Sequence, residues 1–351
     1  MFDGPPHPEL EPAERRARLR LARSSRIGPV TFHEALEHFG SALEACTTLA
    51  TTTDEAVARE EEALADLGGR FIVFGDPAYP LPLAAIADAP PVLSAIGDLG
   101  LLARPNLAIV GARDASAAGC RFAAELAATL GAAGFVIASG LARGIDTAAH
   151  QAALATGTVA VLASGPEQVY PPENAALQAA ITQQGLILSE VAIGRALVGR
   201  AFPRRNRIVS GLSAGVVVVE AAARSGSLIT ARRAAEQGRD VFVVPGSPMD
   251  PRYAGSNSLI KDGAILVRDA NDILSVLGQP QVPRQVTEKP VKKPQDTDSA
   301  KVLSALSSTP TAVDELMRRC QVSAASLAEV LTALELEGRL ERHRGNRVSL
   351  I

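Results

Sequence analysis

Three guanidinium groups, those of Arg204, Arg205 and Arg207, enclose Asn206 directly behind Phe202 and Pro203 in the segment GRAFPRRNRIVSGLS, residues 199–213. Planar donors at this density suit the oxygens of phosphate groups, which an arginine fork engages two bonds at a time. Arg195 and Arg200 extend the set to five, and no Asp or Glu occurs between Glu190 and Glu220 to offset them. The chain as a whole has 351 residues and a net charge of −3, so the anion site must be local and not a property of the bulk surface. The first lysine is Lys261, which excludes a Walker A lysine or a Schiff-base lysine from the residues before it.

Three further segments combine glycine, hydroxyl side chains and arginine after an apolar run. IVGARDAS carries Gly111 and Arg113, SGLARGID carries Ser139, Gly140, Arg143 and Gly144, and EAAARSGSLITARRA carries Ser225, Gly226, Ser227 and Thr230 between Arg224 and Arg232. Glycine lets backbone approach an anion, hydroxyls add donors, and arginines fork onto the oxygens.

The elements that must hold these loops are legible as alternation. FIVFG, NLAIVGA, GFVIASG, TVAVLASG, LILSEV, GVVVVEAA and DVFVVPG are short apolar runs, several of them separated by Ala-rich helical stretches such as CRFAAELAATLGAAG. That pattern predicts an α/β core over 70–278, an extended Rossmann-like parallel sheet covered on both faces. In such a sheet ligands bind outside the carboxyl ends of the strands, where the three loops fall. The arginine-rich segment is expected to run into the apolar strand that follows it. Residues 1–12 read as a loose tail, and 13–68 as a small helical module of the SAM or helix-hairpin-helix kind, with Gly40 closing a helix that begins near Pro29. Residues 279–298 hold four prolines and three lysines and read as a linker, and 299–351 read as a winged helix in which Gly345-Asn346 turns a hairpin.

Cys46, Cys120 and Cys320 form no CxxC pair, so neither a disulfide framework nor a zinc site is expected, and a reducing cytoplasm fits. No apolar run reaches spanning length and no signal-peptide core opens the chain, which points to a soluble, cytoplasmic protein. The fingerprint G-x-G-x-x-G is absent, because Gly140 and Gly144 are four apart, so a dinucleotide fits poorly. Asp146 and His150, one turn apart, are the best pair for nucleotide hydrolysis. The alternative is that Asp146 favours a helix N-terminus while His150 packs inside. A polymeric anion accounts for more, with several arginines along one rim following successive phosphates and Phe202 offering a face to a base. Against that, Phe202 could plug a strand end, and Asn206 could pin the loop instead of reaching a ligand.

The motifs VGAR, SGLARGIDTAAH, FPRRNRIVSGLS, VVVVEAAARSGSLITARRAAEQGRDVFVVPG and GSNSLIKDGA resemble the DprA/Smf family, the DNA-processing proteins of natural transformation. The resemblance spans nearly the whole chain. It implies a non-enzymatic protein that binds single-stranded DNA, protects the incoming strand, loads the RecA recombinase and forms a homodimer through its Rossmann-like core, with no metal or cofactor. The family's basic pocket maps onto Arg113, onto Ser139, Gly140, Arg143 and Gly144, onto Phe202, Arg204, Arg205, Asn206 and Arg207, and onto Ser225, Gly226 and Ser227. Lysine contacts common in the family do not carry over, because this chain has only arginine there.

Glu329, Glu335 and Glu337 lie in the second helix of the terminal domain, which has no Lys or Arg and would approach duplex phosphates poorly. A protein-contact or stabilising role is expected for that domain, although Arg339, Arg342, Arg344 and Arg347 leave room for backbone contact. Two other readings compete. One is a Rossmann-fold enzyme resembling the nucleotide phosphoribohydrolases, whose PGGxGTxxE glutamate has no counterpart after the glycine here. The other is a winged-helix regulator with a ligand-sensing core.

Overall fold

The computed structural model describes residues 9–280, 296–307, 309–336, 338–343 and 347–350. The chain divides into two compact units, Met1–Val282 and Pro283–Ile351.

The first unit begins with four helices, α1 (Pro12–Ala22), α2 (Pro29–Phe39), α3 (Ala42–Thr48) and α4 (Asp54–Asp66). Local sequence sets their ends. Pro29 opens α2, where its missing N–H costs nothing, and Gly40 ends it in the left-handed region at φ 79°. Ser41 caps α3 by accepting from the Glu44 N–H, and Thr53 caps α4 by accepting from Ala56. Phe32, Leu21 and Ala45 share one small buried cluster.

The core follows as β1 (Gly69–Val73), α5 (Leu81–Ala84), β2 (Val92–Gly97), β3 (Asn106–Gly111), α6 (Ala117–Ala132), β4 (Val136–Ser139), α7 (Ile145–Ala153), β5 (Thr158–Leu162), α8 (Ala175–Gln184), β6 (Leu186–Ser189), α9 (Ala201–Leu212), β7 (Ser213–Val219), α10 (Ser227–Glu236), β8 (Asp240–Val243), α11 (Ala254–Lys261), β9 (Ile265–Leu266) and α12 (Ala270–Leu277). The strands form one sheet in the order β1-β2-β6-β5-β4-β3-β7-β8-β9. From β6 across to β9 all pairings are parallel, whereas β1–β2 and β2–β6 are antiparallel. The expected parallel core is therefore present, lengthened at one end by an antiparallel pair.

Alternation along β3 shows why both faces are covered. Leu107 and Ile109 pack with Leu126, Leu130 and Ile145 of α6 and α7, while Ala108 and Val110 pack with Ile208 and Val209 of α9. Because β3 pairs with β4 on one side and β7 on the other, the strand order reverses at β3. That switch point opens a crevice at the carboxyl ends of β3, β4 and β7.

The arginine-rich segment is itself a helix, α9 (Ala201–Leu212), and passes directly into the strand β7 at Ser213. Arg205, Ile208, Val209 and Leu212 recur at helical spacing and are buried, and Pro203 falls in the first turn, where proline is tolerated.

In the second unit, α13 (Asp296–Ala305), β10 (Thr311–Ala312), α14 (Val313–Cys320), α15 (Ala324–Leu336), β11 (Leu340–His343) and β12 (Arg347–Leu350) give the helix and sheet order of a winged helix, with strand order β10-β12-β11. Leu316, Leu327, Leu331, Leu340 and Val348 share its core. Helix α13 starts inside the span expected to be linker. Most of that linker, the start of the N-terminal tail, Glu337, Arg344 and the Gly345-Asn346 turn lie outside the described residues.

Candidate nucleic-acid interface

A groove of about 860 Å³ occupies the switch-point crevice, and a side pocket of about 210 Å³ opens beside it. Arg113, Gly140, Ala142, Phe202 and Arg205 line both. Helices α7, α9 and α10 all begin here, directing the positive ends of their dipoles toward the opening. Helix α6 also begins here, but its N-terminus is already satisfied. Ser116 Oγ accepts from the Gly119 N–H at 2.9 Å, and the buried Glu220 carboxylate accepts from Ser116 N at 3.0 Å and Ser116 Oγ at 2.7 Å.

The SGLARG loop owes its shape to groups on its inner side. Ser139 is fully buried and donates to the Ile109 carbonyl at 2.6 Å, so its hydroxyl serves the β3–β4 junction and not the groove. The Asp146 carboxylate accepts from the N–H groups of Gly140 at 3.1 Å and Ala142 at 3.3 Å. Burial pushes that carboxyl up, while Arg205 and the loop N–H groups pull it back. Gly144 has φ 74°, and a Cβ there would stand 2.4 Å from the Ala112 carbonyl oxygen, so only glycine lets this loop close on the one after β3. His150 is also fully buried, with Nδ1 2.7 Å from Thr158 Oγ1, and burial followed by Arg205 lowers its pKa to about 3. It is a neutral packing residue, and Asp146 organises the loop, so the second of the two sequence readings for this pair fits.

The arginines separate into two classes. Arg205 is 7% exposed, lies beneath Gly140 and donates to the Val161 carbonyl. A Cβ on Gly140 would fall 2.0 Å from its guanidinium nitrogen, so the glycine makes room for the arginine. Burial, opposed by Asp146 and assisted by Arg113, lowers the Arg205 pKa to about 10, which leaves it cationic at neutral pH. Arg207 is 4% exposed, pairs with Glu190 and Asp88, and donates to the Asp88 carbonyl. The expectation that no carboxylate balances the cluster is overturned at this residue. Arg207 braces the scaffold and does not face the groove.

The other class is exposed. Arg113 follows β3 with its guanidinium 5.0 Å from the Phe202 ring centroid, and Phe202 lies 5.5 Å from the Tyr170 ring. Arg143 is half-exposed and stands loosely, at 3.8–4.0 Å, from Glu173 and Asp114. Arg204 is 60% exposed on its side chain and 3.8 Å from Glu190. Asn206 donates weakly to the Gly226 carbonyl at 3.5 Å, pinning α9 to the loop before α10. There Ser225 and Ser227 share a hydroxyl bond of 2.7 Å, and Gly226 is exposed. Arg224 lines the same groove, whereas Arg232 lines a different cavity between α10 and α11.

Two contributors were not singled out from the sequence. Tyr170 continues the Phe202 ring contact across the side pocket, and nothing in its local sequence marks it. Arg252 lines the groove from the loop after β8, paired with Asp250 at 2.6 Å and 3.9 Å from Glu220. Among the described residues no cluster of His, Cys, Asp and Glu could hold a metal ion, and no helix is long and apolar enough to cross a membrane.

Residues 70–278 match the family described as DNA recombination-mediator protein A, residues 286–346 the DprA winged helix domain, and residues 12–66 the DprA-like N-terminal HHH domain. The chain is 46% identical over 202 residues to the DNA processing protein DprA of Streptococcus pneumoniae, covering 57% of this chain and 71% of that protein. It is 40% identical over 280 residues to the protein Smf of Escherichia coli, covering 78% and 75% respectively. The solved structure of the Streptococcus pneumoniae protein superposes with a TM-score of 0.60 at 39% identity, covering 72% of this chain and 83% of that one. The DNA processing protein A of Helicobacter pylori, solved for its single-stranded DNA binding mode, superposes with a TM-score of 0.54 at 30% identity, covering 59% and 95%.

Proposed function

This chain belongs to the DNA recombination-mediator protein A family, and from that premise we propose that its switch-point groove binds single-stranded DNA without turning it over. The observation that carries the reading is the convergence of exposed Arg113 and Arg224 on the groove and of Arg143 on the adjoining side pocket, with exposed Arg204 next in the chain to the groove-lining Pro203, where three helices begin.

Phosphates follow the rim. Exposed guanidinium groups take successive oxygens along the edge where Ser225, Gly226 and Ser227 open α10. Bases pack against the faces of Arg113, Phe202 and Tyr170, a platform that any base can use. Arg205, buried but charged beneath Gly140, adds a fixed positive potential to the floor. Asp146 and His150 supply shape and no chemistry, and Glu220 is spent on the α6 N-terminus. Following the family resemblance, the bound strand is protected and handed to a RecA-type recombinase in the cytoplasm, with two copies of the chain joined through their cores.

The test is a titration of labelled single- and double-stranded oligonucleotides across a salt series. The reading predicts preference for the single strand, affinity that falls steeply with salt, and little dependence on base composition. Equal affinity for duplex, or binding indifferent to salt, would refute it.

A further inference from the structure

The loop that carries the arginine-rich helix into place is fastened by the N-terminal helices. Residues 190–200 connect β6 to α9 without joining the sheet. Arg23, the residue that ends α1, donates through Nε to both carboxylate oxygens of Glu60 in α4, at 3.1 and 3.0 Å, and through Nη1 to the Glu190 carbonyl at 3.1 Å. Its guanidinium also lies 5.2 Å from the Phe71 ring centroid of β1, and both partners of the ion pair are nearly buried, at 11% and 14% exposed. Glu60 in turn accepts from the Ile193 N–H at 3.3 Å. The first carbonyl of the loop and the amide three residues later are thus both held by one ion pair of the helical module.

The same loop residue holds the helix that lines the groove through Phe202, Pro203 and Asn206. The Glu190 side chain binds Arg207 with one oxygen and stands 3.8 Å from Arg204 with the other. Farther along, Glu167 accepts from the Gly194 N–H at 2.8 Å and Gln168 donates to the Arg195 carbonyl at 2.7 Å. The Arg23–Glu60 pair is therefore one bonded step from the residue that locks Arg207, in the helix whose first turn carries Phe202.

We propose that the N-terminal helical module positions the DNA groove, with Arg23 and Glu60 as positioning residues that act through Glu190, Arg207 and the 190–195 backbone on the start of α9 and its Phe202. The inference rests on the single-stranded DNA reading above. A charged fork is needed for this role, because the Arg23 guanidinium reaches a carboxylate and a carbonyl at once, and a lysine ammonium has no such geometry.

The test uses the full chain, a fluorescein-labelled oligothymidylate, and hydrogen exchange at the Ile193 amide. Glu60→Gln keeps an acceptor but removes the charge; Arg23→Lys keeps the charge but removes the fork. Each is expected to lose protection at Ile193 and to weaken binding by about threefold to tenfold. Arg16→Ala is the control, since Arg16 pairs with Glu61 and Asp54 within the module. It is expected to lower the melting temperature without altering affinity or Ile193 exchange. Wild-type affinity in both loop-facing variants, or an equal loss in Arg16→Ala, would overturn the positioning role. Arg113→Glu separates the two claims. If it binds as the wild type does, the DNA reading itself fails; if it is weakened while Glu60→Gln and Arg23→Lys are not, only the positioning role falls.

Discussion

Arg204 and Arg207 are three residues apart on one helix and meet the same carboxylate, yet they sit in opposite environments. Arg207 has 4% of its side chain exposed and is locked to Glu190 and Asp88, whereas Arg204 has 60% exposed and only brushes Glu190. The contrast teaches that helical phase, not local charge density, decides which arginines of a cluster remain available to a ligand. Arg205, one position on, is turned under Gly140 and takes an intermediate part, buried like Arg207 but lining the groove. A run of arginine is thus an anion site only at those positions that the helix turns outward.

The sharpest way to break this comparison is to remove the buried member. Arg207→Ala leaves the Glu190 charge without its partner and should destabilise the fold by about 3–5 kcal/mol, against about 0.5 kcal/mol or less for Arg204→Ala. Denaturant unfolding of the two variants measures the difference, and equal losses would mean that the two arginines are not distinct.

A smaller effect is expected at the ring that underlies Arg113. Phe202→Ala should weaken single-strand binding by about 1–3 kcal/mol, equally for different base compositions, because base stacking uses the face of the ring and not its edge. Oligonucleotides of contrasting sequence would check both the size and the uniformity of the loss.

A pH-dependent effect is expected inside helix α7. His150 has a pKa near 3 in the fold against about 6.5 when unfolded, so between those values the unfolded chain binds the extra proton. Its contribution to stability is intact above about pH 6.5 and declines as pH falls toward 3, by at most about 1.4 kcal/mol per pH unit. Asp146, whose carboxyl is pushed up by burial, acts in the opposite sense, so the comparison to make is wild type against His150→Gln across pH. The variant should show the shallower fall.

Much of this was legible in the sequence, for identifiable reasons. The apolar runs that became β3 to β8 are bounded by glycine and carry few charges, and the loops that follow three of them converge because a parallel sheet sends all its carboxyl ends to one edge. Strand β2 carries a weaker signal, because VLSAIG is interrupted by Ser94 and preceded by Pro90 and Pro91. Helix α9 is written in the spacing of Arg205, Ile208, Val209 and Leu212, although β-branched Ile208 and Val209 weaken that signal locally. The pairing of Arg207 with its carboxylates is set by the path of the chain and not by spacing along it. Asp88 is 119 residues away along the chain, and Glu190 lies across a loop whose path depends on Arg23 and Glu60. Ion pairs of that range are set by topology, which no local pattern encodes.

The salt dependence of single-strand affinity tests the central claim most directly. Log affinity plotted against log salt should be steep for the wild type, and the Arg113→Ala/Arg143→Ala/Arg204→Ala variant should lose about 2 units of slope, roughly 0.7 for each phosphate no longer contacted. An unchanged slope in a variant that remains folded would show that the exposed arginines at the switch point do not hold the strand.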